Sequence, residues 1–371
     1  MYDVGAPAPD VTGRIVAVTV TMDNLQQVFG GALGSMLEGE PAGFLLSLDV
    51  PPQFMGRLRS FLDGGRVTLG PPAESSVPVV YLVHANLPAP IVEVLAAGGA
   101  KSGWTARIRT RAEVETESAP NTIGILEGSD PELSDEYVIF TAHMDHVGIE
   151  QDADAGADSI YNGADDDGSG TVTIVELAEA FASLETRPRR SLVFMTVSGE
   201  ERGLLGSQWY SEHPTVPLEN TVANLNMDMI GRNWSDTIVA IGKEESTLGS
   251  LVESIAAAHP ELDMAVIDDL WPEESFYTRS DHYNFARRGV PILFFFNGVH
   301  EDYHEVSDEI AKIDFEKMSR IGRLIFYTGL AIADAEEPPI WDADAYARVV
   351  ENPARPERPA AGGSEGSGGS R

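Results

Sequence analysis

Apolar residues recur along this chain in two ways. Short, nearly continuous apolar runs at 43–48 (GFLLSL), 77–83 (VPVVYLV), 191–197 (SLVFMTV) and 291–296 (PILFFF) have the length and β-branched or aromatic density of buried strands. Residues 13–19, 121–126, 137–141, 222–229 and 237–241 read as further strands, and 106–114 alternates apolar and polar over part of its length. Between them the spacing changes to that of a helix. Val172, Ile174, Val175, Leu177, Ala178 and Phe181 place an amphipathic helix over 171–184, and 315–333 predicts a longer one. Shorter helices are expected at 90–97, 204–210 and 248–258. Pro90 suits the first turn of the first of these, and Gly98-Gly99 suits its end.

Strands that alternate with helices predict an α/β fold with a mostly parallel central sheet and helices on both faces. A smaller α/β unit precedes it. After about residue 336, Pro, Gly, Ser and Glu become frequent and the chain ends in GGSEGSGGSR, which reads as a disordered tail. The expected division is therefore 1–104, 105–335 and 336–371. No internal repeat is visible.

Composition narrows the picture. With 371 residues, 43% of them hydrophobic, the chain can bury a sizeable core. No apolar run approaches the ~20 residues that a membrane span needs, and nothing at the start reads as a signal peptide. Cysteine is absent, which excludes disulfides, thiolate metal sites and cysteine nucleophiles. A formal charge of −34 argues against a nucleic-acid backbone or an anionic membrane as partner.

The candidate chemistry lies in five short motifs. The first is His143-Met144-Asp145-His146 at a strand end. The second, Gly163-Ala164-Asp165-Asp166-Asp167-Gly168-Ser169-Gly170, opens a helix with three adjacent carboxylates, a cluster tolerated if solvated or neutralised by a cation. Its spacing fits neither an EF-hand nor a phosphate loop. The third is Ser198-Gly199-Glu200-Glu201-Arg202-Gly203, where neighbouring side chains diverge, so that one carboxylate can bind metal while the other faces substrate. The fourth places Asp228 in an apolar strand, which is costly without a partner. The fifth, Tyr303-His304-Glu305-Val306-Ser307-Asp308, follows the PILFFF strand, with Ser280-Asp281-His282 upstream. Each motif alone also has an ordinary structural explanation. Together they supply two histidines and three carboxylates near strand-to-loop boundaries. Such donors suit zinc, and less uniquely manganese or cobalt.

In this order the motifs resemble the dizinc aminopeptidase family that includes secreted bacterial leucyl aminopeptidases, aminopeptidase Y and glutamate carboxypeptidase. The resemblance covers roughly 105–333 and implies the zinc exopeptidase fold, two Zn2+ per chain and peptide substrates. Carried over by position, it implies one metal held by His143, Asp166 and Asp228, and a second by Asp166, Glu201 and His304. Glu200 falls at the general base, Asp145 at the carboxylate that orients the first histidine, and Tyr303 at a hydroxyl that steadies the oxyanion. Residues 10–100 resemble a protease-associated domain more loosely. The resemblance further implies an extracellular or periplasmic protein, and suggests that an N-terminal stretch of the catalytic domain is missing. Three other readings stay open: a carboxypeptidase, for which Arg202, Arg232 or Arg279 would hold the substrate carboxylate; a single-zinc glutaminyl cyclase; and a non-catalytic binding module. Trp271, Phe276, Tyr277 and Phe285 are candidate pocket residues.

Overall fold

The four apolar runs fall on strands. The computed structural model describes residues 10–28, 33–51, 54–55, 67–70, 78–97, 105, 107, 115–150, 153, 156–351 and 353–354. The chain divides into two units, Met1–Glu117 and Ser118–Arg371, later than the expected boundary at 104. The strand expected at 106–114 lies outside the described residues apart from Arg107.

In the first unit, strands β1 (Ile15–Thr21), β2 (Gly43–Asp49) and β3 (Val79–Val83) form a parallel sheet in that order. The central strand β2 is the most buried. Its Phe44, Leu46 and Leu48 pack with Val20 and with Met36 of helix α1 (Leu33–Leu37). Helix α2 (Ala89–Ala96) carries its proline in the first turn, as expected.

Among its described residues the second unit has seven strands: β4 (Thr122–Leu126), β5 (Tyr137–His143), β6 (Ser191–Val197), β7 (Thr221–Met227), β8 (Thr237–Ile241), β9 (Ala265–Ile267) and β10 (Ile292–Phe296). Their order is β4-β6-β5-β7-β10-β8-β9. The central four, β6, β5, β7 and β10, are parallel. β4 and β8 pair antiparallel to their inner neighbours at either side. The expected mostly parallel sheet thus holds at the centre, and the reversed edges are new.

Period-two alternation splits the core between the two faces of this sheet. Val138, Phe140 and Ala142 of β5 pack with Ile174, Leu177 and Phe181 of helix α3 (Gly168–Ala182). Leu248 and Val252 of α5 (Leu248–Ala258) and Ile321, Leu324 and Ile325 of α7 (Phe315–Asp334) join them. On the other face Ile139 and Val193 meet Tyr210 of α4 (Leu205–Glu212) and Phe285 of α6 (His282–Ala286). α7 lies close against β5 at Gly329, where a Cβ would stand 2.5 Å from Phe140 Cζ.

Residues 336–351 correct the expected disordered tail. Trp341 bridges to Ser246 and its indole N–H donates to the Gly289 carbonyl at 3.0 Å. Asp342 caps helix α8 (Ala343–Val349), whose Ala345 and Val349 are buried. These anchors are too few to stand out against the surrounding Pro, Gly and Glu. Residues 355–371 lie outside the described part.

The four parallel strands end at one edge of the sheet, where open α/β sheets place their sites. β5 ends in His143, β7 runs into Asp228, and the loops after β6 and β10 carry Glu200, Glu201, Tyr303 and His304.

Candidate metal centre

The three adjacent carboxylates at the start of α3 do different work. Asp167 is the helix N-cap and accepts from the Gly170 N–H at 2.9 Å. It also accepts from the His143 N–H at 3.1 Å and the Met229 N–H at 3.3 Å, joining the ends of β5 and β7 to the helix. Gly170 is needed there, since a Cβ would come within 2.4 Å of Asp167 Oδ1 and 2.5 Å of the Met227 carbonyl. Asp165 accepts from the Gly231 N–H at 2.6 Å and stands 3.2 Å from His300 Nε2. Asp308 accepts in turn from the Asp165 and Asp166 N–H groups, at 2.9 and 3.2 Å. Asp166 alone turns into the centre.

Around Asp166 the expected residues converge. Its Oδ1 is 3.2 Å from His143 Nε2, and its Oδ2 is 3.1 Å from His304 Nε2. His143 Nε2 is also 3.7 Å from Asp228 Oδ1 and 4.0 Å from Glu200 Oε2. His304 Nε2 is 3.2 Å from Glu201 Oε2. His146, quoted in the first motif but given no role, stands 2.9 Å from Glu201 Oε1 and 3.8 Å from Asp166 Oδ2. Among the described residues two donor groups emerge, His143–Glu200–Asp228 and His146–Asp166–Glu201, each within 4.8 Å. The signal for His146 was present in the sequence: it follows His143 by three positions, in the loop that leaves β5.

Asp145 acts otherwise than expected. Its backbone carbonyl accepts from His143 Nδ1 at 3.0 Å, while its carboxylate is 3.9 Å away. That carboxylate accepts instead from the Glu200 and Glu201 N–H groups, at 3.2 and 3.4 Å. Asp145 therefore fixes both the first histidine and the Glu-Glu loop. Asp228 is steadied by the Ser280 hydroxyl, which donates to Oδ2 at 2.9 Å.

Burial dominates the electrostatics of this centre. It pushes the Glu200 carboxyl well above its ordinary range, against the pull of His143, and the charges of Asp281, Asp228 and Glu201 push the same way. It opposes a low value at Asp166, yet His143 and His304 hold that carboxyl well below its usual range. It likewise opposes a charge on His304, and the neighbouring Asp166 and Glu201 carboxylates still raise that imidazole to about 9. Burial raises the Tyr303 hydroxyl, so the phenol keeps its proton at neutral pH. The Tyr303 ring stacks on His304 with centroids 3.9 Å apart.

Several of these atoms are buried without a hydrogen-bond partner: both ring nitrogens of His146, Asp166 Oδ2, Glu201 Oε1 and Asp228 Oδ1. Their close approaches are not directed as hydrogen bonds. Orphaned buried polar atoms cost several kcal/mol in sum. Imidazole nitrogens and carboxylate oxygens aimed at one another across 3 to 4 Å are the donor set that a divalent cation fills. The residues present fit that group. Beside them opens a cleft of about 350 Å³, including its mouth, walled by Phe276, Phe294, Phe296 and Val299 and by Arg279 and Tyr303. Of the candidate pocket aromatics, Phe276 lines this cleft, whereas Phe285 is core.

Residues 121–329 match peptidase family M28, and the chain belongs to that family. A probable leucine aminopeptidase of Arthroderma otae is 30% identical over 203 residues, 53% of this chain and 54% of that protein. Leucine aminopeptidase 1 of Penicillium rubens is 31% identical over 201 residues, 51% of this chain and 50% of that protein. The chain thus spans about half the length of the curated relatives it matches. Among solved structures, an aminopeptidase from Aneurinibacillus sp. strain AM-1 shares the fold, with TM-score 0.56 and 19% identity over 93% of this chain and 74% of that one.

Proposed function

We propose that this chain is a dizinc aminopeptidase that removes N-terminal residues from peptides. The observation that carries the reading is the position of Asp166, whose Oδ1 lies against His143 and whose Oδ2 lies against His304. A carboxylate so placed suits two metals that share it. His143, Asp166 and Asp228 would hold one, and Asp166, Glu201 and His304 the other, with His146 close enough to contribute to the second. A metal pair supplies Lewis acidity toward the peptide carbonyl and lowers the pKa of water.

The chain's own residues supply the rest. Glu200, as the carboxylate, takes a proton from the attacking water and then passes it to the leaving amine; burial, which raises this carboxyl, favours the protonated form between those two transfers. Tyr303 keeps its phenolic proton and donates to the developing oxyanion. Asp145 holds Glu200 through its backbone N–H. The surrounding acids favour a substrate with a free ammonium group. The names of the fungal relatives agree with this substrate end.

The first unit is read as a protease-associated domain and the protein as extracellular or periplasmic. Among the described residues no helix is long and apolar enough to cross a membrane.

The test is a panel of aminoacyl-nitroanilides with zinc-loaded protein. Turnover that is lost on chelation and restored by zinc is expected, and chelator-resistant or absent turnover would sink the reading. Glu200→Gln should lower kcat by roughly 10²- to 10⁴-fold while metal content stays near two per chain. Unchanged kcat would remove Glu200 from its role.

A further inference from the structure

Removing a neutral N-terminal residue asks for no permanent cation in the cleft, yet Arg279 stands there. It is the one permanently charged cation among the described residues lining it. Of the other two arginines considered from sequence, Arg232 is paired with Asp302 at 2.9 Å, and Arg202 is exposed and lines no part of the cleft.

Arg279 is held without being used up. Its guanidinium lies over the Phe276 ring, 4.6 Å from the centroid. That ring packs in turn against Phe296 at 4.8 Å and Trp271 at 5.7 Å. Among the described residues its only ion pair is with Glu274 at 3.7 Å, between side chains 43% and 57% exposed, which makes it weak. Among the described residues the guanidinium makes no hydrogen bond, so its planar fork of N–H donors is available. A carboxylate matches that fork with two parallel bonds. The other charged walls, Asp166, Glu200 and Asp228, would repel an anion, so a cation on the aromatic wall changes what the cleft accepts.

We propose that Arg279 makes this cleft select peptides that carry a carboxylate next to the scissile bond. The inference rests on the peptidase reading above. The carboxylate has two possible sources: an acidic first side chain, or the free C-terminus of a dipeptide.

Metal-loaded wild type and Arg279→Gln are compared on pairs that differ in charge alone, glutamyl- against glutaminyl-nitroanilide and leucyl-leucine against leucyl-leucinamide. Wild type should favour the acid of one pair by roughly tenfold or more in kcat/KM, since a paired carboxylate adds charge-assisted hydrogen bonds. The ratio should fall to near one in Arg279→Gln, and the pair that shows the preference identifies the source. A ratio is not moved by a general loss of folded enzyme. Equal rates within both pairs, or a ratio that survives Arg279→Gln, overturns the proposal. If wild type cleaves none of the four compounds, the peptidase reading fails. Calorimetric titration with the same compounds then decides for Arg279: tighter binding of an acid that Arg279→Gln abolishes supports it, and equal binding of acid and amide overturns it.

Discussion

At the scale of the residue, a buried charge is defined by what faces it. Asp165, Asp166 and Asp167 are chemically alike, and all three are buried. The outer two are spent on backbone N–H groups, which leaves Asp166 as the one carboxylate free for the centre. None of this is visible in the run Asp-Asp-Asp, because the donors Met229 and Gly231 lie more than 60 positions away. Lys317 shows the same logic with the opposite sign. Its ammonium is buried and donates to the Arg232 carbonyl. Burial lowers its pKa to about 8 from the ordinary 10.5, although Asp165 and Asp314 pull upward. A lysine with a lowered folded pKa gives up its proton before the unfolded chain does. Stability from this group therefore rises between about pH 8 and 10.5 and is flat below about 8. Chemical denaturation of wild type against Lys317→Met should show the difference moving in favour of wild type across that window, by on the order of 3 kcal/mol. A difference independent of pH would mean that Lys317 keeps its proton.

At the scale of the element, much was legible in the sequence. β6, β8 and α5 occupy 191–197, 237–241 and 248–258 as read, because a strand buried on both faces and an amphipathic helix each leave a strong periodic signal. β9, of three residues, and α6, of five, are too short for any period to register. The side chains that converge around Asp166 were legible through the order of their motifs, and the tasks of the groups behind them were not. For Asp145 the turn after β5 decides that the carbonyl, and not the carboxylate, meets His143. Close approach between elements is equally silent. Gly329 lets α7 settle on Phe140, whose ring also stacks on Phe194 with centroids 5.2 Å apart. Gly329→Ala must displace that ring or the helix. It should cost about 1–3 kcal/mol in urea unfolding, since overpacked cores lose that much. Any gain from better helix propensity would show as a smaller loss, and a stabilised variant would refute the tight contact.

At the scale of the molecule, the donors of the centre come from segments between His143 and His304, carried by four strands that adjoin only in the folded sheet. An unfolded chain holds no such arrangement. Any ion that prefers this arrangement is therefore a ligand of the native state alone, and its binding energy becomes folding energy. At a thousandfold excess over its dissociation constant, such a ligand adds about 4 kcal/mol. For a unit of this size that amounts to roughly 10 °C in Tm. Chelation should lower Tm by that order and zinc should restore it, whereas a Tm indifferent to both would show that the ion and the fold are uncoupled. The crowd of acids at the sheet edge is thus more than a place for chemistry. An ion held there would make the sheet's own assembly depend on the supply of metal around it, so that a scarcity of zinc would be felt as a smaller folded fraction of the chain.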